Sequence, residues 1–140
     1  MATRSSIAVK HGNNIKAIYC HWDGYLEHNG AILLERYNSA KANNLVALGN
    51  ISSLGNNIEP PEGAGHSFDA PHDETTVFYR RDRGEEDNEF CTFASEEEWL
   101  EEYGQEYNYL MDNGVWYVSA HGRELVPLHE AIEQLGVAHE

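Results

Sequence analysis

The sequence predicts an α+β fold, an antiparallel or mixed sheet built from hairpins and packed on one side by about three to four short helices. Two stretches have the alternation and turn chemistry of β-hairpins, and apolar residues recur at helical spacing between them. Three tryptophans and eight tyrosines supply large buried area in a chain of 140 residues, long enough to bury roughly two thirds of its unfolded surface.

Ile7 to Lys10 and Ile15 to Trp22 are rich in β-branched and aromatic side chains, and the intervening His11-Gly12-Asn13-Asn14 tolerates positive φ. Asp23-Gly24 ends the second strand. Asn29 is expected to cap a helix over Ile32, Leu33 and Tyr37, and Ser39 a second helix running to Gly49. Residues 50–75, with Pro60-Pro61, Gly63, Gly65 and Pro71, are expected to be a long surface loop within a single domain spanning 1–140.

Thr75 to Tyr79 reads as a strand continuing into Arg80-Arg81-Asp82-Arg83, and Phe90 to Phe93 as a short partner strand. Ser95 and Glu98 form a capping box before a helix over Trp99, Leu100 and Tyr103 that stops near Gly104. Tyr107 to Met111 and Val115 to Ser119 flank Asn113-Gly114, the strongest hairpin signal in the chain. Leu128 to Leu135 closes the sequence as a short helix.

The net charge is −15, and it is unevenly spread. Residues 1–58 carry five basic and three acidic side chains, so residues 59–140 carry −17. Ten carboxylates and no Lys or Arg fall between Glu85 and Glu106. That field disfavours direct nucleic-acid binding and attracts a basic surface; a solubilising face is the plainer reading of the same residues. Glu96, Glu97, Glu98, Glu101 and Glu102 lie around one predicted helix and are the candidate partner-binding residues.

Cys20 and Cys91 are the only cysteines, without C-x-x-C spacing or a secretory apolar segment ahead of them, which fits a reducing cytoplasm. No apolar run reaches the roughly 18–20 residues of a membrane span. Neither a cofactor nor a metal is expected, and homo-oligomerisation stays open.

Motifs of known enzyme classes are missing: no G-x-S-x-G, H-E-x-x-H, phosphate-binding glycine loop or zinc-knuckle spacing occurs. Enzymatic activity therefore stays undecided, leaning against. Three polar constellations remain. His21, Asp23 and Tyr25 are expected to converge where a strand ends, while alternation puts Cys20 and His21 on opposite faces and rules out a nucleophile–base pair between them. Arg81 and Arg83 share a face if the strand persists and then form a fork for phosphate or carboxylate; neutralisation of Glu85, Glu86, Asp87 and Glu89 is the alternative. His66, Asp69, His72 and Asp73 crowd one loop, but their spacing matches no defined metal site.

The segment Ile18-Tyr19-Cys20-His21-Trp22-Asp23-Gly24-Tyr25, with Asn29-Gly30, Leu33-Leu34, Ser52-Ser53-Leu54-Gly55 and Tyr79-Arg80-Arg81-Asp82-Arg83-Gly84-Glu85, resembles a family of small accessory proteins of tailed bacteriophages. The resemblance covers roughly the first 85 residues and extends more loosely through Trp116-Tyr117. It implies a setting, the host bacterial cytoplasm, and carries no catalytic residues. The expectation is thus a non-enzymatic accessory protein that binds and inhibits or modulates a bacterial host protein having a basic surface. The alternative is a binder or cleaver of a nucleotide or phosphorylated signal, using His21, Asp23, Tyr25, Arg81 and Arg83.

Overall fold

The first hairpin forms and occupies the middle of the sheet. β1 (Ser5–His11) and β2 (Asn14–Cys20) pair antiparallel from Ser5↔Cys20 to His11↔Asn14 in the computed structural model, which describes residues 2–138. Gly12 supplies the positive φ of 61° at the first central turn position, as a two-residue hairpin turn demands.

β3 (Ile51–Ser53), β4 (Val77–Phe78), β5 (Cys91–Phe93), β6 (Tyr107–Asp112), β7 (Val115–Ala120) and β8 (Val126–Pro127) complete an eight-stranded sheet in the order β4-β3-β2-β1-β6-β7-β8. β1 runs parallel to β6 and β2 parallel to β3, so the sheet is mixed. The second edge of β2 is divided: its end meets β3 at Cys20↔Ile51, and its start meets β5 from Ile15↔Phe93 to Ala17↔Cys91.

The helices cover both faces rather than one. Alternation sends Ile7, Val9, Ile18, Tyr109, Met111, Trp116 and Val118 to a core under α1 (Ala31–Arg36), α2 (Ser39–Ala47) and α5 (Leu128–Ala138). The opposite set, Ala8, Ile15, Ala17 and Leu110, is buried with Phe93 and the fully enclosed Trp99 of α4 (Glu96–Tyr103). Strands apolar on both sides need a cover on both sides, and Trp99 provides the second.

Four local expectations change. Asn29 caps no helix; it is fully buried within a single π-helical turn, Leu26–Gly30, that runs into α1. The cap of α2 is Asn38, whose side chain accepts from Lys41 N–H, one residue before Ser39. β3 lies inside the stretch read as loop, and residues 54–76 form the true connection. The strand at Thr75 ends at Phe78, and Tyr79–Arg83 is a short helix, α3, closed by Gly84 at φ 76° with its N–H on Arg80 O. Arginines are good helix formers and glycine after them is a C-cap signal, so helix prevails over continued strand.

Candidate functional site

The acidic helix α4 starts as its sequence demands. Ser95 Oγ accepts from Glu98 N–H at 3.1 Å, and Glu98 Oε2 accepts from Ala94 N–H at 2.9 Å. With Trp99 turned into the core, Glu97, Glu101 and Glu102 stand exposed. Glu96 differs, because Lys10 donates to it at 3.3 Å, and Glu98 serves the cap. Among the described residues no ion pair engages Glu97, Glu101 or Glu102. A hydrogen bond with Glu98, reinforced by the charges of Glu98 and Glu101, raises the Glu102 pKa above the ordinary glutamate range. Glu101 and Glu102 also occupy the helix C-terminal end, where negative charge is unfavourable.

The arginines do not form a fork. On α3 they leave the common face that a strand would give them, and each has its own partners. Arg81 Nε and one terminal nitrogen clasp the Asp82 carboxylate at 2.9 and 3.1 Å, while the guanidinium also donates to Ile58 O at 2.7 Å and Thr76 O at 3.0 Å. Arg83 lies over the Phe68 ring at 4.7 Å and pairs with Glu85 at 3.6 Å. Arg81 is therefore a brace holding residues 58 and 76 to α3.

His66 belongs to the same brace. Its Nδ1 accepts from His72 N–H at 2.9 Å, so the ring proton sits on Nε2 and is donated to Asp82 Oδ2 at 3.1 Å. Both nitrogens are committed and the side chain is 4% exposed. Burial alone would push the Asp82 pKa up, but the bonds from Arg81, Phe78 N–H and His66 outweigh it and hold the carboxyl below its ordinary value. Among the described residues, no group of three or more His, Cys, Asp or Glu side chains is placed to hold a metal ion.

Of His21, Asp23 and Tyr25, only Asp23 lines the cleft beside the end of β2. His21 Nδ1 is paired with Tyr19 OH at 2.8 Å and its ring meets Trp22 edge-on. Trp22 and Tyr25 are 44% and 36% exposed, so neither is a core residue. Asp23, at φ 56°, lines a cleft of about 520 Å³ beyond the carboxyl ends of the parallel pair β2 and β3, where open sheets commonly hold ligands. The other polar walls come from His28 on the π turn, from Ser53 and Asn56 at and beyond the end of β3, and from His72, Asp73, Glu74 and Thr75.

Known protein families, curated proteins and solved structures give no match to this chain. The site is accordingly defined by its own geometry. His28 was absent from the sequence-based candidates; the signal was its place beside Asn29, three residues after Tyr25, in a segment that the strand and helix patterns leave unassigned. The π turn sends Asn29 into the core, where its amide donates toward Ser5 Oγ, Cys20 Sγ and Trp22 O at 3.3 to 3.4 Å, and leaves Oδ1 to accept from His28 Nδ1 at 2.9 Å. Isolated π turns recur at functional positions because they displace one side chain from helical register.

Proposed function

We propose that the protein is a non-enzymatic binding protein that docks the exposed carboxylates of α4 on a basic surface of a bacterial host protein and so inhibits or modulates it, in the setting of a phage-type accessory protein in the host cytoplasm. The observation that carries this reading is the exposure of Glu97, Glu101 and Glu102 on one short helix, where no ion pair among the described residues engages them. Two of these charges oppose the helix dipole, so the face has an electrostatic cost within the isolated protein that a basic partner relieves. Burial of Trp99 fixes the helix on the sheet and makes the field directional.

Charge reversal tests it. Glu97→Lys with Glu101→Lys is expected to weaken capture of the host partner by about tenfold or more, mainly through slower association, and added salt is expected to do the same to the unchanged protein. Tagged protein from infected bacteria supplies the partner, and association rates are read by surface plasmon resonance. Unaltered association of the doubly reversed, folded variant sinks the reading.

A further inference from the structure

We infer that the cleft beyond β2 and β3 binds an aliphatic organic cation, a ligand whose ammonium or guanidinium group donates to Asp23, His28, His72 and Asp73. The inference is independent of the role given to α4.

The polar side chains of the walls are mostly acceptors or have their donors already spent: Asn56 donates to Glu74 and Thr75 to Asp73 O, which leaves the Ser53 hydroxyl as the uncommitted side-chain donor among the described lining residues. The two amide hydrogens of Asn29 are shared among Ser5 Oγ, Cys20 Sγ and Trp22 O, so its Oδ1 takes the proton of His28 Nδ1, and His28 Nε2 is left as a lone pair. His72 Nδ1 lies 3.0 Å from Asp73 O; a carbonyl only accepts, so this nitrogen too carries the proton and Nε2 is again a lone pair. Neither Nε2 has a hydrogen-bond partner among the described residues. Asp23, Asp73 and Glu74 enter no ion pair there either, although Asn56 donates to Glu74 at 3.0 Å.

A phosphate or carboxylate would meet like charge and lone pairs in this cleft. A cation with several N–H donors matches it, and Ile32, Leu54 and Val77 in the same walls suit a methylene chain. The walls are also held in place. Gly55 lets the end of β3 approach Glu74, since a Cβ there would lie 2.5 Å from Glu74 O, and the His66 bond to His72 N–H fixes the facing loop. Two lining residues, Asp23 and Glu74, hold left-handed backbone at φ 56° and 58°, a conformation that costs energy outside glycine.

Calorimetric titration with agmatine and with spermidine tests the proposal, alongside nitrogen-15 spectra of the histidine rings. Saturable binding is expected, weakened about tenfold or more by Asp23→Asn and by Asp73→Asn, with the Nε2 signals of His28 and His72 shifting on addition of ligand. Asparagine tolerates left-handed backbone, so Asp23→Asn keeps the fold. Glu130→Gln removes one exposed charge from α5 and is expected to leave affinity within about twofold. A capped arginine peptide that binds more tightly than agmatine assigns the cation to a protein side chain; a weaker one assigns it to a free amine. Absence of saturable binding up to about 10 mM, or equal loss in all three variants, overturns the proposal.

Discussion

Asp82 shows how one residue can be overlooked when its neighbours in space are far away in sequence. It stands among three arginines in Arg80-Arg81-Asp82-Arg83, where the sequence assigns it no role, yet it gathers Arg81, Phe78 N–H and His66 and its side chain is only 6% exposed. Nothing in a single sequence announces that His66, sixteen positions earlier, donates to it. Asp23 was legible as a candidate because it ends a strand, whereas His28 was not, its role depending on a π turn that no periodicity reports. Because Asp82 titrates below its ordinary value, its stabilisation is complete above the unfolded pKa and is lost as pH falls through the folded one. Asp82→Asn is therefore expected to lower stability by about 2–4 kcal/mol at neutral pH. Urea unfolding should show that gap narrowing below about pH 4, and a gap independent of pH would refute the assignment.

At the scale of elements, the strongest signals were those with a backbone reason. Asn113 and Gly114 adopt φ values of 51° and 83°, the pair of positive angles that a type I′ turn requires. A Cβ added at Gly114 meets no atom within 4 Å, so Gly114→Val isolates the backbone cost from any clash. That variant is expected to lose more than about 1–2 kcal/mol, and Asn113→Asp less than about 0.5 kcal/mol. Equal thermal unfolding of the two would show the turn strain to be negligible. The capping box of α4 was equally readable, because Ser95 and Glu98 act within four residues. The strand at Val77–Phe78 was placed correctly but overextended, since its end is set by the Asp82 carboxylate taking Phe78 N–H. β3 was missed altogether: three residues, Ile51-Ser52-Ser53, carry too short an alternation to register, and their partner strand β2 lies across a helical crossover.

For the molecule as a whole, the mixed α+β class followed from the alternation of hairpins and helices, while the two-sided covering of the sheet did not, because one buried tryptophan decides it. Sheet register also settles the cysteines. Cys91 aligns with Ala17 on the Trp99 face, while Cys20 is buried on the other, where enclosure pushes its thiol pKa up to about 11. Melting temperatures with and without reductant should therefore agree; a drop beyond roughly 10 °C on reduction would reveal a cross-link. The parallel pairing of β1 with β6 has a further consequence, carried by the buried bond from Ser6 Oγ to Asn108 Oδ1 across 102 positions. At roughly 5–20 residues per second, translation leaves the β1–β2 hairpin without its central neighbour for about 5–20 s. Until β6 is made, the β1 edge of the nascent hairpin stays unpaired, so completion of the sheet centre waits on synthesis of residues 107–112.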